Sequence, residues 1–147
     1  MCGIVAYVGP KNAIPIIQSG LERLEYRGYD SSGIAYVSDN QIKVFKQSGK
    51  VIELKKIISN STPSQIAMGH TRWATHGGPS NQNAHPHLSM DGTLAIIHNG
   101  IIENYASIKE QLKKRGYVFK SDTDTEVLIN LISDVKKHEK VNLFQAV

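Results

Sequence analysis

The sequence has little of what marks a membrane-spanning, secreted or cysteine-rich protein. A single cysteine in 147 residues excludes an internal disulfide framework and a cysteine-rich zinc site. No apolar run approaches the ~18–20 residues that cross a bilayer, which argues against a transmembrane helix. The start of the chain has no basic segment and only a short apolar stretch, so it does not resemble an export signal. We therefore expect a cytoplasmic protein with no membrane partner.

Clustered positive charge is also missing. The chain carries 17 Lys and Arg against 13 Asp and Glu, a formal net charge of +4. Its basic residues occur in short runs at 55–56, 113–115 and 136–137, on or near predicted helices that also carry acidic residues. Nucleic-acid-binding proteins concentrate such residues on one face and interleave aromatic side chains for base stacking. The sequence has neither pattern, so no nucleic-acid partner is expected.

What the sequence does contain is the mixed pattern of an α+β domain. Residues 4–8 form an apolar run with β-branched members, which predicts a strand buried on both faces. Asn12 is placed to cap the helix that follows, and Ser38, Asp39 and Asn40 form the turn of a predicted hairpin. Strands and hairpins alternate with helices along one chain of ordinary domain size, which favours an α+β or layered α/β structure.

The remaining elements surround one long irregular segment. Short strands are predicted at 66–69, 94–97 and 117–119, and helices at 51–58, at 105–115 and after Asp124. Residues 27–33 are rich in turn formers and are predicted to be a surface loop. Residues 70–87 show hardly any apolar periodicity and contain Trp73 and four of the six histidines. A loop of this length in a compact domain is usually functional, so the site is expected there.

Cys2 is the residue with the most distinctive chemistry. It follows the initiator methionine, which is normally removed before a small residue, so the mature chain is expected to begin with this cysteine. An α-amine has a reference pKa of about 7.7–8.0, which suits it to take the proton of its own thiol. Two alternatives remain open at this point. Lone cysteines are often inert core residues, and a histidine such as His98 is another candidate base.

Three other positions suggest what such a nucleophile attacks. Arg72 carries a guanidinium that binds carboxylates through two parallel hydrogen bonds, and Asp124 can accept from an amine. Together they suit an α-amino acid substrate. Asn99 and Gly100 follow a predicted strand and offer a side-chain amide and a backbone N–H to an oxyanion. Each has an ordinary alternative, because Asp124 is also a good helix N-cap and Asn-Gly is also a common tight turn.

The histidines raise the alternative of a metal-binding module. His70, His76, His85 and His87 supply four imidazoles within a short segment. However, no Asp or Glu lies between residues 70 and 87, and no histidine pair has the helical i, i+4 spacing of a zinc site. We therefore expect no metal.

Six segments together resemble the class II glutamine amidotransferases, the N-terminal nucleophile type. They are CGIV at 2–5, LEYRGYDSSG at 24–33, GHTRWATHG at 69–77, NAHPH at 83–87, HNGIIEN at 98–104 and TDTE at 123–126. They occur in the family's order over most of the chain. The third and fourth segments are most similar to the branch of the family that aminates fructose 6-phosphate. The Cys-Gly-Ile start and an Asn-Gly element are shared with the amidophosphoribosyltransferase branch, which stays as the alternative.

The resemblance implies a four-layer αββα sandwich of the N-terminal nucleophile hydrolase type and assigns a role to each matching residue. Cys2 would attack the side-chain amide carbon of L-glutamine, with Asn99 and Gly100 holding the oxyanion. The implied substrate-binding residues are Arg72, Trp73, Thr75, His76 and Asp124. Trp73 would belong to a mobile loop that shields the thioester intermediate from water, and Arg27 would support the N-terminus.

The resemblance also implies what lies outside this sequence. Residues 1–147 would form one glutaminase domain, incomplete at the C-terminus, while the sugar-isomerase domains that bind fructose 6-phosphate are absent from the chain. The full-length enzyme would be a homodimer, and the glutaminase reaction would need no metal or organic cofactor. A catalytically inactive fragment is the second alternative.

Overall fold

The computed structural model describes residues 2–58, 62–73 and 78–147. Along the chain the elements are β1 (Gly3–Val8), α1 (Ala13–Leu24), a 3-10 turn (Glu25–Arg27), β2 (Ser31–Ser38), β3 (Gln41–Ser48), α2 (Val51–Ile57), β4 (Ile66–Arg72), β5 (His87–Leu88), β6 (Ala95–Ile96), α3 (Tyr105–Lys114), α4 (Asp124–His138) and α5 (Leu143–Ala146). No described helix is both long and apolar enough to cross a bilayer.

An antiparallel sheet in the order β1-β4-β2-β3 forms the centre of the domain. Strand β4 lies between β1 and β2, with Thr71 opposite Gly3 on one side and His70 opposite Gly33 on the other. The β2–β3 hairpin turns through Asp39 and Asn40, whose φ angles are 52° and 58°. Two residues with positive φ are typical of the tight hairpin turn, so the predicted hairpin is confirmed.

Helices α1 and α2 cover one face of this sheet. Asn12 caps α1 as predicted, because its side chain accepts a hydrogen bond from the backbone N–H of Ile14. The buried side of α1 meets the sheet at Gly69, where an added Cβ would lie 2.4 Å from Ile17. The missing side chain therefore lets helix and strand pack closely. The buried core here contains Ile14, Ile17, Leu21, Ile34, Tyr36, Val51 and Leu54.

The opposite face of the sheet carries the second half of the domain. The chain crosses β2 at Gly33, where an added Cβ would lie only 2.1 Å from the carbonyl oxygen of His85. Strands β5 and β6 follow as a small second sheet, and α4 packs against them. The resulting order of helix, sheet, sheet and helix agrees with the predicted αββα arrangement. A small second core joins α3 to α4 through Leu112, Tyr117 and Val127.

Several sequence expectations were wrong in detail. Residues 4–8 are not buried on both faces, since Ile4 is 46% and Val8 78% exposed. The reason is that β1 is an edge strand whose second face is only partly covered. Residues 117–119 do not form a strand, and the short strand β5 was not predicted.

Two segments interpreted as loops belong to central strands. Ser31, Ser32 and Gly33 are buried in β2, and His70 to Arg72 complete β4. Their polar side chains are buried between the sheet and the layers that cover its two faces, which a periodicity argument cannot detect. The segment 70–87 therefore begins with three residues of β4 and ends with the first residue of β5.

Candidate active site

A cavity of about 710 Å³ lies where the chain's N-terminal end, the end of β4 and the start of α4 meet. Its lining brings together a thiol, two guanidinium groups, a carboxylate and a carboxamide. The lining residues are Cys2, Arg27, Arg72, Trp73, His85, His98, Asn99, Gly100, Ile101, Thr123, Asp124 and Thr125. The predicted residues that the structure describes therefore converge on one cavity, although they come from distant parts of the sequence.

Strand alternation directs Cys2, His70 and Arg72 to the same side of the large sheet. Gly3 and Thr71 are opposite one another and face α1, because an added Cβ on Gly3 would lie 2.8 Å from Leu24 Cδ1 of α1 and 2.8 Å from Thr71 Oγ1. Successive residues of a strand point to opposite faces. Cys2, His70 and Arg72 therefore point away from α1, towards the second layer and the cavity.

Contacts with the end of β4 hold Cys2 and the residue that follows it in place. The N–H of Trp73 donates to Cys2 Sγ at 3.2 Å, and the thiol lies 3.5 Å from the carbonyl oxygen of Trp73. The next residue, Gly3, donates its N–H to Thr71 Oγ1 at 3.2 Å. Cys2 is half-buried. These contacts give the thiol a fixed place at the cavity instead of the frayed position of most chain ends.

Arg72 is buried at the end of β4, with 3% of its side chain exposed. Its Nη1 lies 3.9 Å from Asp30 Oδ1 and donates to the carbonyl oxygen of Gly78 at 3.4 Å. The backbone N–H of Asp30 in turn donates to the carbonyl oxygen of Arg72 at 2.7 Å. A buried guanidinium needs such a carboxylate partner. Asp30 was missed by sequence reasoning, and its only signal was its place in the motif at 24–33.

Asn99 and Gly100 do not form the tight turn that was the alternative for this dipeptide. That turn needs positive φ angles, and neither residue has one. The Asn99 side chain instead reaches back to β4, where the ring nitrogen Nε2 of His70 lies 2.7 Å from its Oδ1. The ring of His98 packs against Gly100. The segment is thus held by side chains while it lines the cavity.

Asp124 is the first residue of α4 and not its N-cap. The cap is Thr123, whose Oγ1 accepts from the backbone N–H of Glu126 at 3.3 Å. Asp124 is 4% exposed, and its Oδ2 accepts the backbone N–H of Ile102 at 2.8 Å. A carboxylate in the first turn is favoured by the helix dipole. Because the capping role belongs to Thr123, the alternative for Asp124 is wrong.

Trp73 lines the cavity and is half-exposed, with 54% of its surface accessible to solvent. Its ring lies over Gly28, whose φ of 98° and missing side chain leave room for it, since an added Cβ would approach the ring to 2.9 Å. Arg27, next to Gly28, also lines the cavity. Thr75 and His76, which the sequence placed in the substrate pocket, lie outside the described residues.

Three histidines form a buried row at the cavity, which His85 lines and behind which His70 and His87 lie. The ring centroids of His70 and His85 are 4.7 Å apart, and those of His85 and His87 are 4.8 Å apart, each pair edge-to-face. Burial lowers the pKa of His70 to about 4, of His85 to about 2 and of His87 to about 3. All three are therefore neutral at neutral pH. Among residues 2–58, 62–73 and 78–147, no group of three or more His, Cys, Asp or Glu side chains is placed to hold a metal ion.

Comparison with known proteins identifies the family. The profile of the glutamine amidotransferase domain matches residues 55–143, which is more than half of the chain. The chain belongs to the glutamine amidotransferase domain family. Membership implies that glutamine is the amide donor, which agrees with a cavity that holds a thiol beside a buried cation and a buried carboxylate.

Similar full-length proteins carry this amidotransferase domain as one part. The chain is 56% identical over 149 aligned residues to glutamine–fructose-6-phosphate aminotransferase [isomerizing] of Bacteroides thetaiotaomicron, covering 100% of the chain and 24% of that protein. It is 51% identical to the protein of the same name from Aquifex aeolicus, again over 100% and 24%. The protein of that name from Pyrococcus horikoshii is 53% identical, over 91% and 23%. The chain spans about a quarter of the length of these curated relatives.

Solved structures confirm the predicted fold class. The domain matches the allosteric regulatory enzyme of purine biosynthesis with a TM-score of 0.82 and 29% identity, covering 99% of the chain and 31% of that structure. It matches the Bacillus subtilis glutamine phosphoribosylpyrophosphate amidotransferase, solved with ADP and GMP, with a TM-score of 0.80, 29% identity and the same coverage. The fold is therefore that of the class II amidotransferases with an N-terminal nucleophile.

Proposed function

We propose that the cavity hydrolyses the side-chain amide of L-glutamine, with Cys2 as the nucleophile. The observation that carries the proposal is the convergence of four groups of matching chemistry on one cavity: the thiol of Cys2, the guanidinium of Arg72, the carboxylate of Asp124 and the amide groups of Asn99 and Gly100. An α-amino acid with a side-chain amide presents a complementary carboxylate, ammonium and carbonyl.

Arg72 and Asp124 hold the two charged ends of the substrate. The Arg72 guanidinium binds the α-carboxylate through paired hydrogen bonds, a geometry that a lysine cannot reproduce. Asp124 binds the α-ammonium through Oδ1, because Oδ2 accepts the N–H of Ile102 at 2.8 Å while Oδ1 has a longer contact, 3.4 Å from Thr125 Oγ1. Thr75, His76 and Trp73 complete the pocket, and Arg27 supports the N-terminus. Burial of both charged side chains strengthens these contacts relative to water.

The reaction proceeds in two steps at Cys2. The α-amine of Cys2 takes the thiol proton, and the thiolate attacks the amide carbon to give a tetrahedral oxyanion. The Asn99 Nδ2 and the Gly100 N–H donate to that oxygen. The proton passes to the leaving nitrogen, ammonia departs and a γ-glutamyl thioester remains. Water then attacks the thioester and releases glutamate and the free thiol, so no metal or organic cofactor enters the balance.

In the full-length protein, we propose that the ammonia converts fructose 6-phosphate to glucosamine 6-phosphate. The support is the shared name of relatives that are about half identical to this chain. On this proposal, residues 1–147 are the truncated glutaminase domain, and sugar-isomerase domains in the rest of the protein bind the sugar. The enzyme acts as a cytoplasmic homodimer and does not bind nucleic acid.

The test is a pair of assays on the purified full-length protein. Glutamate release from glutamine should require Cys2, and Cys2→Ala should abolish it while leaving the fold intact by circular dichroism. Acid-quenched wild-type protein should carry a γ-glutamyl adduct on the peptide that contains Cys2. With fructose 6-phosphate present, amino sugar should accumulate. Transfer to phosphoribosyl pyrophosphate instead would support the amidophosphoribosyltransferase alternative, and hydrolysis that survives Cys2→Ala would reject the nucleophile.

A further inference from the structure

His70 lies directly behind Asn99 and touches it through one short contact. The ring nitrogen Nε2 is 2.7 Å from Asn99 Oδ1. His70 has no exposed surface, and it is not among the residues that line the cavity. Among the described residues that line the cavity, His70 hydrogen-bonds to Asn99 and packs against the ring of His85. The proposed mechanism does not use the hydrogen bond to Asn99.

The tautomer of His70 follows from the hydrogen-bond balance of its ring. Burial keeps the ring neutral by lowering its pKa to about 4, so only one nitrogen carries a proton. Nδ1 is buried without a hydrogen-bond partner in the described part of the chain. A buried N–H without a partner is more costly and rarer than a buried acceptor without one. The proton is therefore on Nε2, which donates it to Asn99 Oδ1.

This donor decides which way the Asn99 carboxamide faces. An asparagine side chain can rotate by half a turn and exchange its oxygen and nitrogen at little steric cost. With the oxygen held by the Nε2–H of His70, the NH2 group must take the other position. If the carboxamide turned over, its NH2 would meet the Nε2–H, and two donors would face each other.

We infer that His70 is a positioning residue that holds the Asn99 carboxamide with its NH2 group directed at the oxyanion. The inference rests on the proposed function, in which Asn99 stabilises that oxyanion. His70 contacts neither the substrate nor the thiol. The inference assigns its effect on the reaction to the orientation of that one amide.

The surroundings of His70 keep its ring from adapting. His70 is opposite Gly33 in the sheet. The ring of His85 packs edge-on against the ring of His70, with 4.7 Å between the two centroids. His85 is itself fixed because its backbone crosses β2 at Gly33 in close contact. A donor held on a strand between two layers has little rotational freedom, which is the condition for setting the angle of a neighbouring amide.

The experiment compares His70→Gln with His70→Asn in the full-length protein. The NH2 of glutamine reaches the position of Nε2, whereas the NH2 of asparagine lies near Nδ1 and falls short of Asn99. Both variants bury an amide, so any general effect of that change is common to both. His87→Leu is the control for losing a ring from the same row, since His87 bonds to Thr123 and not to Asn99. Asn99→Ala is measured beside them.

Glutamine hydrolysis is measured as kcat and KM, and the binding of two probes is compared. Loss of an oxyanion donor costs about 100- to 1,000-fold in kcat. His70→Asn keeps the Asn99 donor but no longer fixes its direction, so it should lower kcat by less, about 10- to 100-fold, with KM nearly unchanged. His70→Gln should keep most of the rate. The aldehyde analogue of glutamine, which forms a tetrahedral adduct on Cys2, should lose affinity in His70→Asn. The affinity for glutamate should not change.

Each result has a definite reading. If His70→Asn keeps the wild-type kcat while Asn99→Ala is impaired, the positioning role is wrong and the proposed function stands. If Asn99→Ala is itself unimpaired, the oxyanion role in the proposed function is wrong. Equal losses in His70→Gln and His70→Asn, with the affinity for glutamate falling as well, would show a purely structural role and overturn the inference. If His70→Asn does not fold, full activity with normal aldehyde affinity in His70→Leu would overturn it equally.

Discussion

Asp124 Oδ2 accepts the backbone N–H of Ile102 at 2.8 Å, which ties the start of α4 to the segment that carries Asn99 and Gly100. On the proposed function, this one carboxylate serves two purposes. Its Oδ2 holds the segment of Asn99 and Gly100 in place, and its Oδ1, which accepts a longer hydrogen bond of 3.4 Å from Thr125 Oγ1, binds the substrate ammonium. The proposal thus connects substrate binding at one end of the cavity with the geometry of the oxyanion site at the other.

The two purposes of Asp124 separate in a pair of variants. Asp124→Asn keeps a carbonyl oxygen for Ile102 but removes the charge, so KM for glutamine should rise while stability changes little. Breaking a buried charge pair costs roughly 2–5 kcal/mol, which is about 30-fold or more in kcat/KM. Asp124→Ala also leaves the Ile102 N–H unpaired and should lower the free energy of unfolding by about 1–3 kcal/mol. Kinetics and urea unfolding measure the two effects.

The matched control is Asp122→Asn, the same change on an exposed side chain two residues away. It should leave both KM and stability unchanged. A normal kcat/KM for Asp124→Asn would contradict the role of Asp124 in binding the ammonium.

Replacing Arg72 tests the other end of the substrate. Arg72→Ala removes the paired contact with the α-carboxylate and should lower kcat/KM for glutamine by about 30-fold or more, from a loss of roughly 2–5 kcal/mol. Arg72→Lys should restore only part of the activity, because an ammonium cannot make the bidentate contact. Arg23→Ala, an exposed arginine on α1, is the control. Wild-type kcat/KM in Arg72→Ala would show that the carboxylate binds elsewhere.

An extension before Cys2 tests the source of the base. If the α-amine of Cys2 removes the thiol proton, an uncleaved N-terminal tag converts that amine into a neutral amide. The rate should fall about 100- to 10,000-fold, while a C-terminal tag leaves it intact. Cys2→Ser should be similarly impaired, since a hydroxyl is harder to deprotonate than a thiol. Mass spectrometry must first show that the untagged protein has lost Met1.

A base supplied from outside, such as His98, predicts the opposite result. The thiol would then tolerate a short flexible extension. Full hydrolysis by protein that still carries the tag or Met1 would reject the amine as the base.

The buried histidines predict that the protein loses stability in acid. Burial lowers the pKa values of His70, His85 and His87 from 6.5 to about 4, about 2 and about 3, respectively. Below pH 6.5 the unfolded chain binds protons that the folded chain does not, so the free energy of unfolding falls as the pH falls. Each histidine contributes up to about 1.4 kcal/mol per pH unit, or about 4 kcal/mol per unit for the three together. Urea unfolding at pH 7, 6 and 5 measures this slope.

His85→Phe should flatten the slope by about a third, because both ring nitrogens of His85 lack hydrogen-bond partners among the described residues and no such bond is lost. His138→Gln, which replaces an exposed histidine outside the buried row, is the control for removing an imidazole. Equal slopes in wild type and His85→Phe would show that His85 is not held neutral by burial.

The sequence predicted local features where neighbouring residues decide the outcome. Asn12 caps α1, Asp39 and Asn40 form the hairpin turn, and the residues of the predicted apolar stripe lie on the helix α4. Each of these features was predictable because it depends on contacts within a few residues. The position of Cys2 near the start of the chain and the order of the motifs were also sufficient to indicate the family. These are features that local backbone chemistry and residue identity determine.

Tertiary structure alone decided how those residues meet. Thr71 faces α1 while His70 and Arg72 face the second layer, and this alternation appears only once residues 70–72 are known to be a strand. The contact between His70 and Asn99 joins residues that are 29 positions apart, so no local pattern predicts it. Burial by the second layer then makes the histidines neutral and pairs Arg72 with Asp30. Desolvation depends on what packs above a side chain, which is a property of the folded chain and not of its sequence neighbours.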